Sequence, residues 1–328
     1  MLNRRRFLQG GAAAAGLCLT GLGRAAGFQP LDGVARIIVG FPPGAGADTV
    51  ARKLAEKLTG PYAANVIVEN RPGAGGRIAA EAAKNAAGDG RTLLFTPASP
   101  MILAPHLYPD LGYDPRQDFL PITGISALKL GLVVNESCPA TTLQAYEEWC
   151  QGDARRASFA SPGAGTLPHF LGIRFAKAAG LDLVHIGYKG AGPALRDLIG
   201  DQVPAYVGIL GADVIAQSRE GRIRVLAVAN TERSADLPEV PTFLELGYPG
   251  MVAEEWMGVF APASAGAVAE PLDAILRQAL EAPDVQELLQ RYSMESIAWP
   301  SKVLGERLSS DLEAWGPIVR DSGFKADS

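Results

Sequence analysis

Residues 36–49 read Arg36-Ile37-Ile38-Val39-Gly40-Phe41-Pro42-Pro43-Gly44-Ala45-Gly46-Ala47-Asp48-Thr49. Three apolar β-formers run into a turn of Pro and Gly. A helical period follows, with Val50, Leu54 and Leu58 on one face and Arg52, Lys53, Glu56 and Lys57 on the other. The stretch is predicted as strand, tight loop and helix. A helix start carries unpaired N–H groups and a partial positive charge, and Gly44 and Gly46 let the backbone approach a ligand unobstructed. The loop therefore suits a carboxylate or a phosphate. Nucleotide motifs fail: no Gly-Lys-Ser/Thr follows Gly44 at P-loop spacing, and Gly-x-Gly-x-x-Gly begun at Gly44 meets Thr49 at its last position.

A single loop of this kind is an ordinary turn, with Asp48 a helix cap. The pattern recurs, however. Asn70-Arg71-Pro72-Gly73-Ala74-Gly75-Gly76 follows the strand expected over 66–69 and opens an Ala-rich helix. Ser161-Pro162-Gly163-Ala164-Gly165-Thr166 follows Ser158-Phe159-Ala160 and opens a helix with Leu167, Leu171 and Phe175 on one face. Lys189-Gly190-Ala191-Gly192-Pro193 follows the run 183–188, with Pro193 expected at the first helical position. In an open α/β sheet such loops gather at the carboxyl ends of the strands, where ligands bind.

At the N-terminus, Arg4-Arg5-Arg6-Phe7-Leu8, the apolar run 10–23 and Gly23-Arg24-Ala25-Ala26 read as a charged region, a hydrophobic region and a small-residue cleavage site. The Arg pair looks like a Tat export signal over residues 1–25. The apolar run falls short of the roughly 20 residues that span a bilayer. Removing the leader takes away Arg4, Arg5, Arg6 and Arg24 and no acid, moving the formal net charge from -5 to -9. So acidic a chain lacks the basic footprint of a nucleic-acid binder. An anionic ligand would be attracted by local dipoles, not by the overall field.

Cys138 and Cys150 remain after the leader. A helix capped by Thr141 or Thr142 and ending near Cys150 holds its ends about 12 Å apart at 1.5 Å per residue, beyond the roughly 7 Å a disulfide spans. Two free thiols are expected.

Roughly 300 residues after the leader suggest two domains. Strands alternate with helices through 92–95, and a Pro- and Asp-rich loop leads to the apolar stretch 119–125. A second α/β series comprises 130–134, 183–188, 205–209 and 224–228. A strand-like run, 256–261, precedes a helical tail over 267–281, 284–292 and 300–321. The alternation predicts parallel sheets flanked by helices in both units, and leaves open which unit the tail joins.

Together, Phe41-Pro42-Pro43-Gly44-x-Gly46-x-Asp48, Val68-Glu69-Asn70-Arg71-Pro72-Gly73-Ala74-Gly75-Gly76, Asp89-Gly90-x-Thr92-Leu93-Leu94, Tyr113-Asp114-Pro115 with Asp118-Phe119, Gly165-Thr166-x-x-His169, Tyr188-Lys189-Gly190 and Trp256-x-Gly258-x-x-Ala261-Pro262 resemble a known family. The family is the Bug receptors, periplasmic solute-binding proteins of tripartite tricarboxylate transporters, and the resemblance covers essentially the whole chain after the leader. It implies a two-lobed periplasmic binding protein, lobe 1 being residues 26–127 plus 247–328 and lobe 2 residues 128–246, with the ligand cleft between them. It further implies a ligand held by backbone N–H groups and small polar side chains of two loops. By motif position these contribute Phe41, Gly44, Ala45, Gly46 and Asp48, then Ala160, Ser161, Gly163, Ala164, Gly165, Thr166 and His169. The implied partners are a small carboxylate (a di- or tricarboxylate, aromatic acid or amino acid) and membrane transporter subunits. A monomer without cofactor or metal is expected. Ala45 and Ala47 stand where the family often has Gly and a hydroxyl residue, Pro204 where an Asp is common, and Gly208-Ile209-Leu210 where polar pocket residues often occur. These departures favour an aromatic or less charged carboxylate over citrate.

Several residues have a plainer alternative. Asp48, Ser161 and Thr166 serve equally as caps, and His169 as a packed structural histidine. Arg71 and Lys189 are either donors to the ligand or solvated charges, and Trp256 either a cleft wall or core. A hydrolase is disfavoured: Ser161 lacks the Gly-x-Ser-x-Gly elbow, and His106, His169 and His185 have no ligand spacing to each other or to Cys. A sensor for the same solutes is the other alternative.

Overall fold

A strand of 17 residues, β4 (Phe119–Asn135), runs through both halves of the molecule. The computed structural model describes residues 28–326, so the leader predicted over residues 1–25 lies outside them. The elements before β4 are β1 (Leu31–Val39), α1 (Gly46–Leu58), β2 (Ala63–Asn70), α2 (Arg77–Lys84), β3 (Thr92–Pro97), α3 (Ala98–Ile102) and α4 (Ala104–Leu107). After it come α5 (Leu143–Gln151), β5 (Ser158–Ser161), α6 (Leu167–Ala179), β6 (Val184–Gly187), α7 (Ala191–Ile199), β7 (Ala205–Ile209), α8 (Ala212–Arg219) and β8 (Ile223–Val228). The chain closes with β9 (Glu254–Pro262), α9 (Ala269–Leu280), α10 (Pro283–Arg291), β10 (Glu295–Trp299) and α11 (Ser301–Asp321).

Strands follow the order β2-β1-β3-β9-β4-β7-β5-β6, with β8 and β10 also on β4. The expected parallel crossovers are present, β1 with β2 and β3, and β5 with β6 and β7. Between them, β4 and β9 run antiparallel to every neighbour. Parallel pairing needs a crossover helix packed on the sheet, whereas β4 and β9 are entered through the long connections 98–118 and 229–253. The two apolar stretches expected at 119–125 and 130–134 are one strand, whose register shifts near Pro121, Gly124 and Leu132 absorb the change of partner. The tail strands β9 and β10 pair with the first part of β4, beside β1–β3.

Alternation along the strands builds the core on both faces. Ile38 and Leu94 join one apolar cluster with Phe159, Phe170, Trp256 and Leu304, which extends across both halves. Ile37, Val39, Leu93 and Phe95 point the other way, onto Val50, Leu54 and Leu58 of α1. In the second half, Val133, Tyr206 and Val225 pack against Leu195 and Leu198 of α7. Thr142 caps α5 by accepting from Ala145 N–H at 3.2 Å. Cys138 and Cys150 are buried free thiols, both pushed up in pKa by burial. Pro193 falls at the third residue of α7 instead of the first, because Gly190 is the N-cap. Among the described residues, no helix is long and apolar enough to cross a membrane.

Candidate functional site

The registers Val39↔Phe95 and Ser161↔Gly187 bring neighbouring strand ends together. The β1–α1 loop and the start of α3 therefore leave the first part of the sheet side by side. The β5–α6 and β6–α7 loops leave the second part in the same way. A direct link joins the halves here: Leu167 N–H, at the start of α6, donates to Ser99 Oγ of α3 at 3.4 Å. A Cβ added to Gly165 would sit 3.4 Å from Leu107 Cδ1 and 3.8 Å from Phe324 Cε1, so the β5–α6 loop lies against α4 and the C-terminal tail.

In the β1–α1 loop, Asp48 is 2% exposed and its carboxylate is fully engaged. Oδ2 accepts from Gly44 N–H at 2.9 Å and Arg52 Nε at 3.0 Å, and Oδ1 accepts from Asn70 Nδ2 at 2.8 Å. Asn70 Nδ2 also reaches Phe41 O at 3.0 Å. Burial works against the charged form of Asp48, but the bonds from Arg52, Gly44 and Asn70 outweigh it and hold the carboxyl below its usual range. Asp48 is therefore an anion already neutralised by Arg52, tying the loop to its own helix and to the end of β2. The N-cap position belongs to Ala45, which makes no side-chain cap. Among the described residues no acceptor meets the N–H groups of Gly46, Ala47 and Asp48. Gly40 permits the loop's exit: a Cβ there would lie 2.6 Å from Gly76 Cα, backbone against backbone.

The β5–α6 loop is held by two histidines. Ser161 Oγ lies 2.8 Å from His185 Nε2 and 3.1 Å from Gly163 O. One proton arrangement satisfies both contacts, His185 Nε2–H donating to Ser161 and Ser161 O–H donating to Gly163. Thr166 Oγ1 donates to the same carbonyl at 2.7 Å, and Gly165 N–H donates to His169 Nδ1 at 3.1 Å. The His169 ring stacks on His185 at 3.8 Å and takes the edge of Phe324 at 4.8 Å. Burial, assisted by the neighbouring His185, lowers His169 to about 3, and burial lowers His185 to about 4. Both rings are neutral at neutral pH, which leaves His169 Nδ1 free to accept. Ala160 is buried inside β5, whereas Ala164 is exposed at the loop's tip. Among the described residues, no acceptor meets the N–H groups of Ala164 and Thr166.

The structure thus gathers Phe41, Gly44, Ala45, Gly46 and Asp48 at the β1–α1 loop and first turn of α1, and Ser161, Gly163, Ala164, Gly165, Thr166 and His169 at the β5–α6 loop and first turn of α6. Ser161, Thr166 and Asp48 spend their side-chain oxygens, and His169 its Nδ1, on shaping those loops. Trp256 is fully buried, donating Nε1–H to Asp311 of α11 at 2.8 Å. Arg71 is bound to Glu69 at 2.6 Å, and Lys189 is exposed. Ile209, at the end of β7, packs against apolar clusters of both halves. Ser99, Glu255 and Phe324 carry no sequence signal, Arg52 reads from sequence only as a charge on the polar face of α1, and His185 only as a histidine without ligand spacing. His185 lies outside every loop motif, and Ser99 and Glu255 meet across 156 residues of chain.

The description "Tripartite tricarboxylate transporter family receptor" matches residues 50–324. The chain is 34% identical over 293 residues to Protein BugT of Bordetella pertussis, covering 88% of this chain and 89% of that protein. The solved structure of periplasmic binding protein BugD matches with a TM-score of 0.77 at 28% identity, covering 91% of this chain and 100% of that one. MatC from Rhodopseudomonas palustris, solved with bound malate, matches with a TM-score of 0.76 at 26% identity, covering 89% of this chain and 100% of that one. Such neighbours are two-lobed periplasmic binding proteins, receptors and not enzymes. The chain belongs to the receptors of the tripartite tricarboxylate transporter family and is a solute-binding protein of the Bug type.

Proposed function

We propose that this receptor takes a small carboxylate between lobe 1 (residues 26–127 plus 247–328) and lobe 2 (residues 128–246). The carrying observation is that the first-turn N–H groups of α1, at Gly46, Ala47 and Asp48, and the N–H groups of Ala164 and Thr166 before α6 have no acceptor among the described residues. Such groups attract anions through the helix dipole. On the side of the β1–α1 loop the cation, Arg52, is occupied by Asp48 at 2.9 Å, so recognition from that loop falls to backbone dipoles instead of a fixed positive side chain. That arrangement favours a ligand of modest charge. Ile209 adds an apolar wall, which supports an aromatic or monoanionic acid over citrate.

A ligand touching both loops binds the closed form better and shifts the population toward it. The closed form is then the one that a membrane transporter recognises; a sensor would read the same closure. The twin-Arg leader over residues 1–25 supports Tat export into the periplasm. A thermal-shift panel on residues 26–328, unfolded and refolded to strip bound ligand, tests the reading with mono-, di- and tricarboxylates, aromatic acids and amino acids against phosphate, NAD and neutral sugars. A ligand at about 100 times its Kd adds about 2.7 kcal/mol. A shift confined to one carboxylate class is expected. A shift with NAD or a sugar and with no carboxylate would overturn the proposal.

A further inference from the structure

Glu255, on β9 opposite Leu128 of β4, is 5% exposed. Among the described ion pairs it has no cation, although an isolated buried carboxylate is costly. Burial pushes its carboxyl up to about 7, against the bonds it receives from Ser99 and from the Ala98 backbone. Its principal partner is Ser99: Oε1 accepts from Ser99 N–H at 3.1 Å and Oε2 from Ser99 Oγ at 3.0 Å. When Glu255 is ionised, above about pH 7, it only accepts, so the Ser99 hydroxyl proton is committed to it and the oxygen's lone pairs turn outward. Those lone pairs receive Leu167 N–H at 3.4 Å. Leu167 is the first residue of α6, whose N–H has no partner within its helix. The relay therefore runs from a central strand, through the start of α3 in the first half, to the helix that carries residues 161–166 in the second.

We propose that Ser99, oriented by Glu255, is a positioning residue that fastens the β5–α6 loop to the first half of the molecule and adds to ligand affinity without touching the ligand. The inference rests on the reading of this cleft as the ligand site. At 3.4 Å the Leu167 contact lies just beyond the usual range of about 2.7–3.2 Å for such bonds, and a small approach of the halves brings it within that range. Closure and bond strength then rise together.

Hydrogen–deuterium exchange of the ligand-free protein tests the relay directly, with wild type compared to Ser99→Ala, Ser99→Thr and Glu255→Gln. Losing a bond of typical net strength is worth roughly a three- to ten-fold change. Ser99→Ala is expected to speed exchange over residues 161–170 by that factor, Glu255→Gln by less because its single oxygen still accepts one Ser99 donor, and Ser99→Thr to restore protection. With L-malate as the probe, Ser99→Ala is expected to weaken binding by the same factor through faster release, at an unchanged association rate. Unchanged exchange over 161–170 in Ser99→Ala, even with a lowered Tm, would reduce Glu255 to a cap of α3 and overturn the proposal. Equal malate affinity in wild type and Ser99→Ala would also overturn it. Failure of wild type to bind malate counts against that ligand alone, and the exchange result still decides the relay.

Discussion

Replacing Asp48 by Ala separates a loop-holding carboxylate from a ligand-binding one. The side chain is 2% exposed and satisfies Gly44 N–H, Asn70 Nδ2 and Arg52 together. Arg52 has a side chain 50% exposed and regains water at little cost. Gly44 lies at the surface, so its N–H is partly rehydrated, while Asn70 loses an acceptor between two elements. A deserted buried donor costs about 1–3 kcal/mol, which puts the total at about 2–3 kcal/mol. Unfolding entropy of about 2.1 cal/mol/K per residue over roughly 300 residues makes about 0.6 kcal/mol/K, so Tm should fall by about 3–5 °C. Scanning calorimetry at pH 7 of wild type, Asp48→Ala and Arg52→Ala reads this, with Arg52→Ala shifting less than Asp48→Ala. Because the folded pKa of Asp48 is depressed, its contribution is complete above the unfolded value of about 3.9 and is lost only as pH falls through the lower folded value. The difference between variants should therefore be constant from pH 7 to pH 5. A Tm within 1 °C of wild type, together with weakened carboxylate binding, would refute the loop-holding role and make Asp48 a ligand contact.

The two buried histidines set an acid limit. With folded values of about 3 for His169 and about 4 for His185, against about 6.5 when unfolded, their contribution is complete above pH 6.5. Below it, stability falls by at most about 1.4 kcal/mol per pH unit for each histidine, down toward the folded values. Melts at pH 7.5 and pH 5 should show this, and the double variant His169→Gln with His185→Gln should flatten the slope; an equal slope would remove the histidines as its cause. Gly40→Ala sets a Cβ 2.6 Å from Gly76 Cα and should cost about 1–3 kcal/mol, read as a lowered urea midpoint. An unaltered midpoint would mean that the two loops part easily. Phe324→Ala should cost about 1–2 kcal/mol, less than a fully buried Phe, by uncovering His169 and Phe170. Faster exchange at the start of α6 checks it, and unchanged protection there would speak against the tail as a cover.

The glycine-rich loops were legible because their signals are local: a β run, a turn that only Gly and Pro make comfortably, and a 3.6-residue apolar period. Val50, Leu54 and Leu58 are buried where that period places them. What escaped was long-range. No local pattern shows that residues 119–125 and 130–134 are one strand serving two sets of partners, since Gly124 and Lys129 look like interruptions. Residues 295–299 form a strand only because β4 is there to pair with them. Within the candidate site, Asp48 could be read as a cap because Asp favours that place. The competitor that won was Asn70, brought alongside by the β1–β2 pairing. Ser99 and Glu255 carry no motif, and their meeting is a property of the assembled sheet.

The β4 strand bears on how the molecule is made on the ribosome. Its partner β9 begins 119 residues after β4 ends, and β10 lies later still. Until β9 emerges, β3 presents one unpaired edge, carrying Leu93, Leu94 and Phe95, and the first part of β4 has nothing to pair with. Sheets whose neighbours are this distant along the chain form slowly and expose sticky edges meanwhile. The nascent first half is thus the stretch most in need of a chaperone until β9 and β10 have emerged.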